Sequence, residues 1–112
     1  MPKISIIIPV YNVQDYLAMC LDSVCYQSMK DIEIICVNDG STDNSLAVLH
    51  AYKRRDKRII IIDKENEGSG VARNTGLKIA RGEYVYFVDG DDWLEQDLSL
   101  IHISEPTRPR LI

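Results

Sequence analysis

Three carboxylates fall within four residues at Asp89-Gly90-Asp91-Asp92. Packed that tightly they repel one another unless a positive partner comes to the site. A divalent metal carrying a phosphorylated ligand meets that need, since magnesium and manganese favour hard oxygen donors. The run just before them, Tyr84-Val85-Tyr86-Phe87-Val88, is β-branched and aromatic throughout, as in a strand covered on both faces. The acids therefore stand where a buried strand delivers its chain to solvent.

Other polar clusters hold side chains of similar potential. Pro9-Val10-Tyr11-Asn12 carries a ring able to stack on a base. Asn38-Asp39-Gly40-Ser41-Thr42-Asp43 combines two carboxylates with turn residues. Glu65-Asn66-Glu67-Gly68-Ser69-Gly70 resembles a phosphate cradle, although it lacks the Lys-Ser/Thr of a P-loop and is too short for a dinucleotide fingerprint. Arg73 follows about one helical turn later, where a guanidinium can reach a diphosphate. Each has a plainer reading beside it: a turn with a helix cap, an aromatic that packs in the core, a surface arginine.

The elements that must position these clusters alternate regularly. Ile4 to Ile8 reads as a buried strand closed by Pro9, and Ile32 to Val37 as a second. Arg58 to Ile62 gives a third and Tyr84 to Val88 a fourth. Between them lie helical stripes: Tyr16, Leu17, Cys20, Leu21 and Val24 within Val13 to Tyr26, then Leu46, Val48, Leu49 and Tyr52. The second of these helices takes its cap from Ser41-Thr42-Asp43. A third stripe holds Val71, Ala72, Leu77, Ile79 and Ala80, with Gly82 expected as its left-handed terminator. The alternation predicts an α/β fold, a mostly parallel open sheet with helices on both faces. In such sheets ligands bind beyond the carboxyl ends of the strands, and every cluster named above falls at such an end. Leu98 to Ile103 can continue a helix begun near Trp93, whereas the proline-broken sequence after it reads as an irregular tail.

Bulk properties narrow the classes. At 112 residues the chain is one domain at most. A formal net charge of −4 argues against a nucleic-acid partner, which calls for a basic face. The basic run Lys53-Arg54-Arg55 with Lys57-Arg58 suits a solvated helix end. No apolar run is long enough to span a bilayer, and Ile4 to Val10 is too short for a signal peptide. Cys20, Cys25 and Cys36 have no metal-type spacing and read as reduced thiols in a cytoplasmic protein.

Taken in order, four segments resemble glycosyltransferase family 2, the inverting enzymes of GT-A fold. They are Ser5-Ile6-Ile7-Ile8-Pro9-Val10-Tyr11-Asn12, Val37 to Asp43, Asn66 to Leu77 with its Ala72-Arg73-Asn74, and Gly82 to Asp92. The likeness covers about residues 2 to 97 and corresponds to the amino-terminal, donor-binding half. It implies that Pro9, Tyr11 and Asp39 line the base and ribose pocket of a nucleotide-sugar, most often a UDP-sugar. By the same resemblance Arg73 borders the base and diphosphate, and Asp89 and Asp91 form the DxD element. Asp91 would then ligate the manganese or magnesium ion directly, Asp89 would bond the ribose or the metal's water shell, and Asp92 would stand behind them. The family's catalytic base lies further along the chain, in an acceptor-binding half that the stretch from Ser99 to Ile112 does not resemble. The sequence thus reads as a donor- and metal-binding region over 1–97 and a tail over 98–112, with no residue to nominate as base. A non-catalytic nucleotide and metal binding module is the alternative. A receiver-type magnesium domain is disfavoured, since Asp39 to Asp43 and Ala72-Arg73-Asn74 would have no part in it.

Overall fold

The computed structural model describes residues 2–27 and 30–94. Within them strands and helices alternate as β1 (Ile4–Val10), α1 (Gln14–Cys25), β2 (Ile32–Asp39), α2 (Ser45–Arg55), β3 (Ile59–Lys64), α3 (Ser69–Ile79) and β4 (Tyr84–Phe87). The four strands form one parallel sheet in the order β3-β2-β1-β4. This is the α/β architecture that the alternation predicts. Trp93 and Leu94 lie in no helix, and the rest of the helix expected from there, the boundary at residue 97 and the tail over 98–112 lie outside the described residues.

β1 is central and all seven of its positions are buried. Ile4, Ile6, Ile8 and Val10 face one side, where Leu17, Cys20, Leu21 and Val24 of α1 and Leu49 of α2 pack on them. Ile7 faces the other side, with Ile35 and Val37 of β2, Val85 of β4 and Ala72 of α3. Burying a side chain of isoleucine size is worth about 1.5–3 kcal/mol, so this one strand anchors both layers. The strand order explains the split of helices. α1 and α2 connect strands running outward from β1 in one direction, whereas α3 crosses back to the opposite edge. Connections of one hand then put α3 on the other face.

Pro9 lies inside β1 and does not close it. Its carbonyl accepts the Gly90 N–H at 3.3 Å, on the side where Lys3 and Ile7 accept from Tyr84 and Val88. The N–H that proline lacks would point to that same side, beyond the last residue of β4, so the ladder loses nothing.

The helical stripes need two corrections. Tyr16 is 58 % exposed and points away from the core, at the margin of the α1 stripe. On α3 only Ala72 and Gly76 are buried, while Val71, Leu77 and Ile79 remain about two-fifths exposed. α3 lies so close to the sheet that small residues must form its inner face. A β-carbon at position 76 would stand 2.6 Å from the Ile7 methyl.

Gly82 also has a different role from the one expected. α3 ends at Ile79 with Ala80 extended, and Gly82 is absent from the glycines with positive φ. It is needed for space, since a β-carbon there would meet the Ser5 backbone nitrogen at 2.5 Å. The Gly82 N–H donates to Ser5 Oγ at 2.8 Å, and that hydroxyl donates to the buried carboxylate of Glu33. Glu33 in turn accepts the Arg81 N–H at 2.6 Å and the Arg81 Nε–H at 3.3 Å. This satisfied polar joint fixes where β4 enters the sheet, at the end opposite the polar clusters.

The basic run behaves as a helix end. Lys53, Arg54 and Arg55 occupy the last turn of α2, and Lys53 Nζ donates to the Ile59 carbonyl at 2.7 Å. Arg58 Nη2 meets Asp56 at 2.6 Å and the Cys25 carbonyl at 2.9 Å, tying α1 to the α2–β3 turn. The Arg58 hydrogen bonds prevail over burial and hold the Asp56 carboxyl down at about 2. The three cysteines are unpaired, and burial pushes the Cys20 and Cys25 thiols up to about 12.

Gly82→Ala should lower stability by about 1–3 kcal/mol in urea melts, because the added methyl meets backbone that cannot step aside. An unchanged midpoint would contradict the tight joint. Asp56 gives a pH prediction. Its folded value lies below an unfolded value near ~3.9, so its contribution is complete above that pH and is lost as pH falls toward about 2. Asp56→Asn should be less stable at pH 7 and show a shallower loss between pH 4 and 2. Equal slopes in the two proteins would place the acid sensitivity elsewhere.

Candidate functional site

The strand order reverses at β1, which sends β2 and β3 to one side and β4 to the other. In open parallel sheets ligands bind in a crevice beyond the carboxyl ends of the strands at such a point. A cleft of about 450 Å³ lies there. Pro9, Tyr11, Asp39, Asp89 and Asp91 all line it, so five of the seven site residues expected from the sequence meet at one cleft. Arg73 and Asp92 are the exceptions. They border a neighbouring hollow of about 160 Å³ with Trp93 and the end of β4, and Asp89 lines both spaces.

Asp39 ends β2 and is 2 % exposed. Its carboxylate accepts the Glu67 N–H at 2.9 Å on one oxygen and the Gly68 N–H at 3.0 Å on the other. Lys64 Nζ at 3.4 Å and Asn66 Nδ2 at 3.5 Å complete the set. Burial alone would favour the neutral acid, but these donors outweigh it and hold the carboxyl below the usual range. Asp39 thus organises the turn that opens α3. Gly40, with φ at 70°, lets the chain turn away immediately, and a β-carbon there would strike the Asn66 nitrogen at 2.6 Å.

The acidic loop rests on α1. The Cys20 thiol lies 3.5 Å from the Asp89 carbonyl, and the Leu94 N–H donates to Ser23 Oγ at 2.9 Å. Burial comes first in keeping that thiol protonated, followed by the charges of Asp92, Asp91 and Asp89. The acids differ in what holds them. Asp89 Oδ1 takes Arg73 Nη2 at 3.1 Å, and Asp92 Oδ1 takes the Trp93 N–H at 2.8 Å. Asp91 makes no hydrogen bond or ion pair among the described residues and faces the cleft exposed.

Among the described residues no three His, Cys, Asp or Glu side chains gather tightly enough to hold a metal by themselves. The donor set fits a different kind of site. Two carboxylates lining one cleft, one uncommitted and one with a spare oxygen, suit a magnesium-type ion that draws its other ligands from phosphate and water.

Sequence reasoning missed some participants. Ser41 and Thr42 do not cap α2. Asn44 occupies the cap position without a side-chain bond, and Asp43 Oδ1 takes the Ser45 N–H at 2.9 Å. Asn66, Gly68 and Ser69 line the cleft, and Lys64 stands behind them on Asp39. The glycine-rich composition of their turn was the available signal. Nothing in the sequence marked Lys64 or Val13.

The chain belongs to glycosyl transferase family 2, whose model matches residues 5–104. It is 55 % identical over 95 residues to Glycosyltransferase GlyA of Streptococcus pneumoniae, a match covering 85 % of this chain and 14 % of that protein. Staphylococcus aureus TarS 1-349 in complex with UDP superposes with a TM-score of 0.76 at 36 % identity, over 81 % of this chain and 28 % of that one. The mannosyltransferase PcManGT from Pyrobaculum calidifontis, in complex with GDP-Man and Mn2+, gives 0.80 at 25 % identity, over 88 % and 30 %. The chain therefore has the GT-A type of fold and spans less than a third of each of these proteins. No helix among the described residues is long and apolar enough to cross a membrane.

Asp39→Asn replaces one acceptor oxygen with an NH2 group that faces a backbone N–H. The cost should be about 1–3 kcal/mol, with faster amide exchange at Glu67 and Gly68. Unchanged exchange at both amides would show that the turn is held by something else.

Proposed function

We propose that residues 1–97 are the donor-binding region of a glycosyltransferase that moves a sugar from a nucleotide-sugar, in particular a UDP-sugar, to an acceptor hydroxyl with inversion. One observation carries this reading: Tyr11, Asp39, Asp89 and Asp91, from the ends of three different strands, line the same cleft at the reversal point. The complexes of TarS with UDP and of PcManGT with GDP-Man and Mn2+ support a nucleotide-sugar and a divalent ion as ligands of such a cleft.

In this reading Pro9 and Tyr11 form the apolar side against the base, and Asp39 stands beside them at the base and ribose. Asp91 and Asp89 would hold manganese or magnesium, which when bound supplies charge stabilisation to the diphosphate leaving group. Arg73, held on Asp89, borders the diphosphate side. The acceptor and its base are assigned to no described residue. The location that goes with a soluble nucleotide-sugar is cytoplasmic.

Thermal melts with UDP, GDP and TDP, each with and without manganese, test the donor site. UDP with manganese at about a hundred times its dissociation constant should add about 2.7 kcal/mol of stability. Asp91→Ala should remove the manganese-dependent part. If none of the three nucleotides shifts the melt, the reading fails; if Asp91→Ala keeps its manganese dependence, the ligand assignment fails.

A further inference from the structure

Asn12 is the one non-glycine residue with a positive φ among the described residues, at 51°. A side chain in this left-handed region is disfavoured, and asparagine is among the few residues that adopt it readily. The turn has a geometric consequence. Tyr11 and Val13, on either side, both line the cleft, while Asn12 does not. Its side chain is directed instead into the loop that follows β2.

There the Asn12 amide oxygen accepts the Thr42 N–H at 2.7 Å, the Asp43 N–H at 3.3 Å and the Thr42 hydroxyl at 3.3 Å. The Asn12 N–H donates to Ser41 Oγ at 3.0 Å. The next two residues continue the seam. The Val13 N–H donates to Ser45 Oγ at 3.1 Å, and the Gln14 N–H to Asp43 Oδ2 at 3.2 Å. The Asn44 N–H returns a bond to Gln14 Oε1 at 2.8 Å. Ser41 to Ser45 do not line the cleft, so their polar groups serve the neighbouring loop.

We propose that Asn12 is a positioning residue for nucleobase recognition, clamping the loop after β1 onto Ser41, Thr42 and Asp43 so that Tyr11 is held as a ready stacking wall. The proposal rests on the donor-site reading and assigns a task to residues which that reading leaves idle. Tyr11 is 49 % exposed, so core packing does not enclose it. A ring fixed before the ligand arrives loses less conformational freedom on binding than one that must be ordered by it. Losing the clamp should therefore cost about three- to tenfold in affinity for a stacked base.

The test uses this chain with UDP and manganese chloride in titration calorimetry. Asn12→Gly permits the left-handed backbone but removes the acceptor, and should weaken UDP by about that factor. Asn12→Asp keeps both the backbone preference and an acceptor oxygen, and should restore most of the affinity. In a Tyr11→Ala background, Asn12→Gly should have no further effect, since its target is gone. Equal weakening in both backgrounds, or no weakening in the first, overturns the proposal. A second measurement needs no nucleotide: in fluorotyrosine-labelled protein the Tyr11 fluorine line, identified by its loss in Tyr11→Phe, should narrow in Asn12→Gly. If wild type binds no UDP, the donor reading falls and the role in recognition with it. The fluorine line then still decides the clamp, and an unchanged line overturns that as well.

Discussion

β1 is hydrogen-bonded along both edges, to β2 on one side and β4 on the other. Much of the remaining structure depends on that placement. A strand flanked on both sides and covered on both faces has no exposed backbone, so it must be apolar throughout, as its seven residues nearly are. Because the chain leaves β1 in one direction and returns to its other edge, the strand order reverses at β1, and in such sheets ligands bind beyond the carboxyl ends at that point. The site is thus a product of connectivity before any of its side chains is considered.

Connectivity delivers loops only to a common rim, and polar side chains fix them there. Each loop is held by a group from a neighbour. Asp39 grips the backbone after β3, Ser41, Asp43 and Ser45 grip the backbone after β1, the Asn12 side chain grips the backbone after β2, and Ser23 with Cys20 supports the loop after β4. This division of labour separates the residues of the family's motifs into two kinds. Some face the cleft, and others, such as Thr42 and Asn12, secure the residues that do.

The sequence made the first kind legible more readily than the second. Strands were readable because burial on both faces leaves an apolar run, and the strand ends were readable because polarity returns abruptly. Arg73 was harder, since a position one turn into a helix specifies distance from the rim but not direction, and the structure turns it behind Asp89. The inner face of α3 misled for a packing reason. A helix lying very close to a sheet needs Ala72 and Gly76 inside, so its larger Leu77 and Ile79 are turned out, the reverse of what hydrophobicity alone implies. Gly82 misled similarly, since a glycine after a helix is more often a matter of φ than of space. Asn12 was readable as part of a strand-end cluster but not as a clamp, because its partners are about thirty residues away.

The charges at the rim bear on why a metal and a nucleotide would belong together there. Asp39 is balanced by Lys64 and backbone N–H groups, and Asp89 by Arg73. Asp91 has no cation paired with it among the described residues, so its charge at the cleft is uncompensated. Two carboxylates, one of them already paired, provide too few ligands to hold a divalent ion tightly without others. A diphosphate arriving alone would meet Asp91 unscreened and an Arg73 whose charge is already engaged. Each ligand lacks what the other provides: the ion lacks oxygen donors, and the diphosphate lacks a neutralising charge. Their binding free energies at this rim should therefore be coupled, with the uncommitted carboxylate of Asp91 as the contact through which the coupling acts.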